Sequence, residues 1–178
     1  MTPIRTILVC LLLAASIGLA FVFTGVYDVA ATKSHTPLTL WVLDEALEHS
    51  VERHAHGIQT PPLDDPELVQ AGLRHYGLMC APCHGGVGVD RSEFAQGMMP
   101  PPPKMTEVAG DWTPAQFYWI VKNGIKMSGM PGFGKTHTDR QLWAMVAAAR
   151  RLPSMSPEEY QRATQPAAGD SSAASDSD

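Results

Sequence analysis

Cys80-Ala81-Pro82-Cys83-His84 brings two thiols and an imidazole into one pentapeptide. Thiols at this spacing reach the two vinyl groups along one edge of a porphyrin and form thioethers. The histidine directly after them falls under the iron, where a neutral imidazole nitrogen is an axial ligand. The motif therefore reads as covalent attachment of a c-type haem. A bare Cys-x-x-Cys leaves other chemistries open: a redox dithiol, half of a zinc site, or a disulfide. No thioredoxin-like strand pattern surrounds this one. A zinc site wants about four ligands, and no second Cys-x-x-Cys is present. The third and last cysteine, Cys10, lies inside an apolar run, so no pair is left for a disulfide. Its flank, Leu8-Val9, and its closeness to Met1 fit a lipidation signal poorly. Cys10 reads as a small buried or lipid-facing residue.

The elements that must position this motif announce themselves by their ends. Asp65-Pro66-Glu67 starts a helix with an acidic cap and proline at the first helical position. Leu68, Ala71, Gly72, His75 and Tyr76 come next at helical spacing, and the helix is expected to run into Cys80. Thr113-Pro114-Ala115-Gln116 is a capping box, continued by Phe117, Ile120 and Val121 and stopped by Gly124. Thr138-Asp139-Arg140-Gln141 is another. It opens a final helix through Leu142, Trp143, Met145, Val146, Ala149 and Leu152, closed by Pro153. No segment alternates as a strand does, so the fold class is all-α. A domain this small has a marginal core by itself, and a haem supplies an apolar centre.

In this order of elements the stretch from about 60 to 153 resembles a class I, mono-haem cytochrome c domain: helix, Cys80-x-x-Cys83-His84, a Pro-rich loop, helix, Met130-Pro131-Gly132-Phe133-Gly134, final helix. The resemblance implies one covalently held haem c and its iron, with His84 as one axial ligand and a methionine as the other. Of nine methionines, Met98, Met99, Met105, Met127 and Met130 are candidates. Met130 stands where the family's ligand loop does, and Met127 is the alternative. The departure is Gly132, where the family often has Ala; it is expected to loosen the loop without removing the ligand. Gly72 and Tyr76 match the family's spacing ahead of the motif. There the glycine lets first and last helices cross closely, with Trp143 as the expected aromatic partner. Within Pro100–Pro103, the carbonyl of Pro101 or Pro102 is expected to accept the second ring nitrogen of His84.

The rest of the chain places the domain. From Ile7 to Val26 no residue is charged, and Arg5 precedes the run. At helical rise this is roughly 30 Å, enough to cross a bilayer core. The rival reading is a cleaved signal peptide ending near Val29-Ala30-Ala31. An uncleaved anchor (1–26) fits the length better. Arg5 then keeps the N-terminus cytoplasmic and puts the haem domain on the outer, periplasmic side of an inner membrane. A juxtamembrane segment (27–59) begins a helix at Thr36-Pro37. Its stripe Leu40, Leu43, Leu47, Val51 and His54 suits a membrane surface or a partner subunit, and Trp41 suits an interface. His35, His49, His54 and His56 read as solvated. The cytochrome domain spans 60–153, and 154–178 reads as a disordered acidic tail.

The net charge of −5 sits outside the domain, whose nine basic and eight acidic residues nearly balance. Nucleic-acid binding is not indicated. No paired-carboxylate or Ser-His-Asp pattern marks an enzyme, and no small-molecule substrate is implied. The chain reads as a membrane-anchored electron carrier between redox proteins. Lys104, Lys122, Lys126 and Lys135 are placed to steer an acidic partner. Two alternatives stand: a docked haem subunit of a respiratory or dehydrogenase complex, and an open-site haem enzyme or sensor.

Overall fold

The computed structural model describes residues 2–126 and 128–165, in two compact units, Met1–Lys33 and Ser34–Asp178. The first holds one helix, α1 (Pro3–Phe23), with proline in its first turn. It begins earlier than the apolar run and ends before Val26, because Thr24 closes it and Gly25 turns at φ 65°. None of its side chains is buried, and the helix is long and apolar enough to cross a membrane. Asp28 and Lys33 pair at 2.6 Å beyond it.

The regular elements among the second unit's described residues are all helices. The unit comprises α2 (Pro37–Ala55), α3 (Pro66–His75), α4 (Ala81–His84), α5 (Glu93–Gln96), α6 (Met105–Val108), α7 (Pro114–Asn123), α8 (Asp139–Arg151) and α9 (Pro157–Thr164). A lone bridge, Gly86 to Val89, is its nearest approach to a strand. Caps act where the sequence places them: Asp65 accepts from Glu67 N, and Thr113 and Thr138 each complete a reciprocal box with Gln116 and Gln141.

The core forms where α3 crosses α8. Leu142, Val146 and Ala148 are wholly buried there. A β-carbon at Gly72 would collide with the carbonyl of Ala144 and lie 2.9 Å from Ala148 Cβ. The glycine is thus required by backbone contact, as its spacing implies. Trp143 is buried in the same cluster as Leu73 and Tyr76. It stacks on Tyr118 of α7 at 4.2 Å and 12°, while Tyr76 meets Tyr160 edge-on at 6.3 Å.

Two segment readings are corrected. Pro157–Thr164, read as part of a disordered tail, is a capped helix with Tyr160 buried. One aromatic anchor and a Ser156–Glu159 capping box outweigh the polar average. The remainder of that tail lies outside the described residues. The α2 stripe is divided. Val51 and Ala55 are buried, and α2 packs on α7, where His54 stacks on Trp119 at 5.3 Å. Leu38, Trp41, Val42 and Leu43 stay exposed. Of the stripe itself Val51 is buried, Leu40 and Leu47 are half-buried, and Leu43 is exposed.

Candidate functional site

The attachment motif is entered through a single π turn, Tyr76–Cys80, which joins α3 to α4. One extra residue per turn rotates α4 relative to α3, a device common at functional sites. The motif's two flanks are tied together. Tyr76 OH donates to the carbonyl of Gly85 at 2.7 Å, and Gly85 turns at φ 72° to leave α4. Ser92 Oγ and N both donate to Pro82 O, at 2.6 and 2.9 Å. Burial holds the Tyr76 hydroxyl far above its ordinary range, so it remains a donor.

These ties shape one wall of an apolar cavity of about 290 Å³. Cys80, Cys83 and His84 line it from the motif. Met98, Pro100–Pro103 and Met105 line it from the proline loop, Phe117 and Val121 from α7, and Met145 from α8. Met130 and Phe133 come from the loop before α8, and Leu47 comes from α2. Among the sequence-chosen residues, Cys80, Cys83, His84 and Met130 thus converge on a single cavity across fifty residues of chain. Met127 lies outside the described residues. Met98 and Met105 also reach the cavity, while Met99 is not among its lining residues.

His84 Nδ1 lies 2.8 Å from Pro103 O. A carbonyl only accepts, so Nδ1 carries the proton, and in the neutral ring Nε2 keeps its lone pair. Burial pushes the His84 pKa below its ordinary value, and Arg91 adds to this against the opposing pull of the carbonyl. The ring is kept neutral, the form that binds a metal. The acceptor is Pro103, not Pro101 or Pro102. The Pro102 carbonyl is taken by Arg91 Nη1 at 2.6 Å, leaving the next one to the imidazole.

Cys80 is pushed up to about 12, first by burial and then by Cys83. A redox dithiol needs the opposite, a thiol that ionises readily. Among the described residues no three His, Cys, Asp or Glu side chains group as a metal cluster.

The Met130 loop is rigid for its length. Met130 N donates to Ser128 Oγ at 3.2 Å, Ser128 Oγ to Ile125 O at 2.7 Å, and Ile125 N to Met130 O at 3.2 Å. A β-carbon at Gly132 would sit 2.6 Å from Asn123 O, and one at Gly124 would sit 2.6 Å from Gly132 N. Gly132 therefore does not loosen the loop; it lets the loop press against the end of α7. Of the four lysines, Lys122 is bound to Asp139 at 2.8 Å and to Tyr118 OH at 3.0 Å, while Lys104, Lys126 and Lys135 are exposed.

The donor set and cavity fit a covalently held haem. They offer two thiols at thioether spacing, one imidazole with its tautomer fixed, methionine sulfurs that include Met130, and apolar walls. Sequence reasoning put Leu47 on the α2 stripe but missed its place on the cavity wall, and it missed Tyr160. Each belongs to an element outside the motif-bearing stretch, and only the fold brings them to it. Residues 67–147 match the family model described as cytochrome C oxidase, cbb3-type, subunit III. No match is found among curated proteins.

Proposed function

We propose, from the premise that residues 67–147 form a class I cytochrome c domain, that this electron-transfer haem protein is a membrane-anchored, single-haem carrier. It passes electrons between redox proteins on the periplasmic side of an inner membrane. Cys80 and Cys83 would hold the haem through thioethers, and His84 and Met130 would ligate its iron. When bound, the haem supplies one-electron chemistry between ferric and ferrous iron.

The chain's residues set the conditions for that chemistry. Pro103 fixes the His84 tautomer and raises its basicity as a ligand. A thioether at Met130 favours the reduced metal and raises the potential. The apolar walls exclude water, which also disfavours the more highly charged oxidised form. The hydrogen-bonded loop of Ile125, Ser128 and Met130 holds the sulfur in place, so little reorganisation accompanies each transfer. The carrying observation is that Cys80, Cys83, His84 and Met130 share one apolar cavity, with His84 Nδ1 already engaged by Pro103. α1 supports the anchor, and Arg5 before the apolar run supports a cytoplasmic N-terminus.

The test is the near-infrared spectrum of the oxidised protein. The wild type is expected to show the weak sulfur-to-ferric charge-transfer band. Met130→Ala should abolish it and Met127→Ala should preserve it. The reverse pattern moves the ligand to Met127. A wild type without the band favours an open-site enzyme or sensor. A second reading, a docked haem subunit of a respiratory oxidase, is favoured by the description of the matching family and by the apolar residues left exposed on α2. Co-purification of other subunits from native membranes would select it.

A further inference from the structure

Beyond the matched span lies α9, a helix of eight residues whose sequence offers almost nothing to bury. Helices this short do not persist in water by themselves. This one is held by its contacts. Tyr160 is 3% exposed, and Gln70 Nε2 donates to Ala163 O at 2.9 Å. Its inner face lies against the segments that flank the attachment motif, and three glycines there mark how closely. A β-carbon at Gly77 would lie 3.0 Å from Thr164 Cβ, and one at Gly88 would lie 3.0 Å from Pro157 Cβ. One at Gly86 would lie 2.5 Å from the Tyr160 ring. Gly88 also needs to be glycine for its φ of 71°. Gly86 has no such need, since its φ is not positive. The nearest atoms a side chain there would meet all belong to Tyr160, so that ring is what excludes one.

Gly86 stands two residues after His84. Tyr160 also meets Tyr76 edge-on, and Tyr76 donates to the carbonyl of Gly85. One ring therefore bears on both flanks of the motif, the turn before Cys80 and the loop after His84. We infer that Tyr160 is a positioning residue for the proximal side of the site: α9 is a clasp that pins Tyr76 and the 85–88 loop, holding His84 on Pro103 and keeping water from the thioether side. The inference rests on the reading of the site as a haem site. Water admitted to that side would favour the more highly charged ferric state, so a loosened clasp lowers the reduction potential.

The experiment uses the full chain purified in detergent, with Tyr160→Ala, Tyr160→Phe, Gly86→Ala and the Tyr160→Ala/Gly86→Ala pair. The readouts are the reduction potential from spectroelectrochemical titration and the rate of limited proteolysis within residues 85–92. Tyr160→Ala is expected to lower the potential and speed cleavage severalfold. Tyr160→Phe should match the wild type on both, because the ring makes the contact. Gly86→Ala should push the ring away and reproduce Tyr160→Ala, and the double variant should be no worse than either, since both break one contact. Tyr160→Leu, which keeps apolar bulk, is read in the same way if Tyr160→Ala does not accumulate. Wild-type potential and loop protection in Tyr160→Ala, with only a lower Tm, would overturn the inference and leave α9 a plain staple. Haem that extracts from the wild type into acid acetone would overturn the underlying haem reading and this inference with it, before any variant is made.

Discussion

Where α3 crosses α8, main chain meets main chain: Gly72 sits on the Ala144 carbonyl, and α8 buries eight consecutive residues, Leu142–Ala149. Where α2 lies on α7, His54 stacks on Trp119, and only Val51 and Ala55 of nineteen α2 residues are buried. The two pairs differ in kind. A crossing set by backbone contact has no slack, because neither partner has a rotamer to change. A seat made by one valine, one alanine and the stacked pair His54–Trp119 can open and leave both helices intact. Burying a valine is worth about 1.5–3 kcal/mol, so the α2 seat is shallow beside the α3–α8 core. From the rigid pair α8 lines the cavity with Met145 and Ala149, while the shallow one attaches the helix that follows α1 in the chain. Leu47 makes that attachment part of the cavity wall.

The strongest test of the contrast is Gly72. Gly72→Ala should cost about 3 kcal/mol or more, at or above the usual upper end for overpacking, since the obstacle is a carbonyl and not a movable side chain. Gly72→Val should prevent holoprotein from accumulating. Denaturant unfolding and haem-stained gels measure the two. A Gly72→Ala protein of wild-type stability would break the comparison.

Val51→Asp is the next in size. It should lift α2 without unfolding the rest. Protease should cut within residues 37–58 many times faster, while the haem remains covalently bound and the Tm of the remaining domain falls by only a few degrees. Global unfolding at the same denaturant concentration as α2 release would show that the two pairs are one cooperative unit.

The smallest effect concerns the rigid side. His75, on α3, has its pKa lowered chiefly by burial, then by His137 and Arg74. His137 meets its ring edge-on at 5.7 Å. The folded chain thus resists the proton that the unfolded chain accepts near 6.5. As pH falls through 6.5 toward the lowered value, the unfolded state binds more protons and stability declines; above 6.5 this contribution is fully present. His75→Gln should flatten the pH dependence of the unfolding midpoint between about pH 7 and pH 5. An unchanged slope would remove His75 as its source.

What the sequence determined by itself is whatever depends on neighbours a few residues apart. Cys80, Cys83 and His84 are close because the chain makes them so. Asp65, Thr113 and Thr138 cap their helices because a side-chain oxygen reaches an amide two or three residues on. Gly72 was legible because a glycine inside a helix has a cost that close packing must offset. The helical class and the apolar α1 come from the same short-range rules. Only the tertiary structure decided the rest. Four successive prolines offer similar carbonyls, and only the folded loop puts that of Pro103 on His84 and that of Pro102 on Arg91. Trp143 stacks on Tyr118, and Tyr160 takes the place beside Tyr76, partners that lie 25 and 84 residues apart in the chain. Val51 and His54 of the α2 stripe are taken up by the chain's own domain while Leu43 stays exposed, and nothing in a period of apolar residues says which surface will cover them. Such pairings join residues tens of positions apart, and their geometry exists only once the helices have packed.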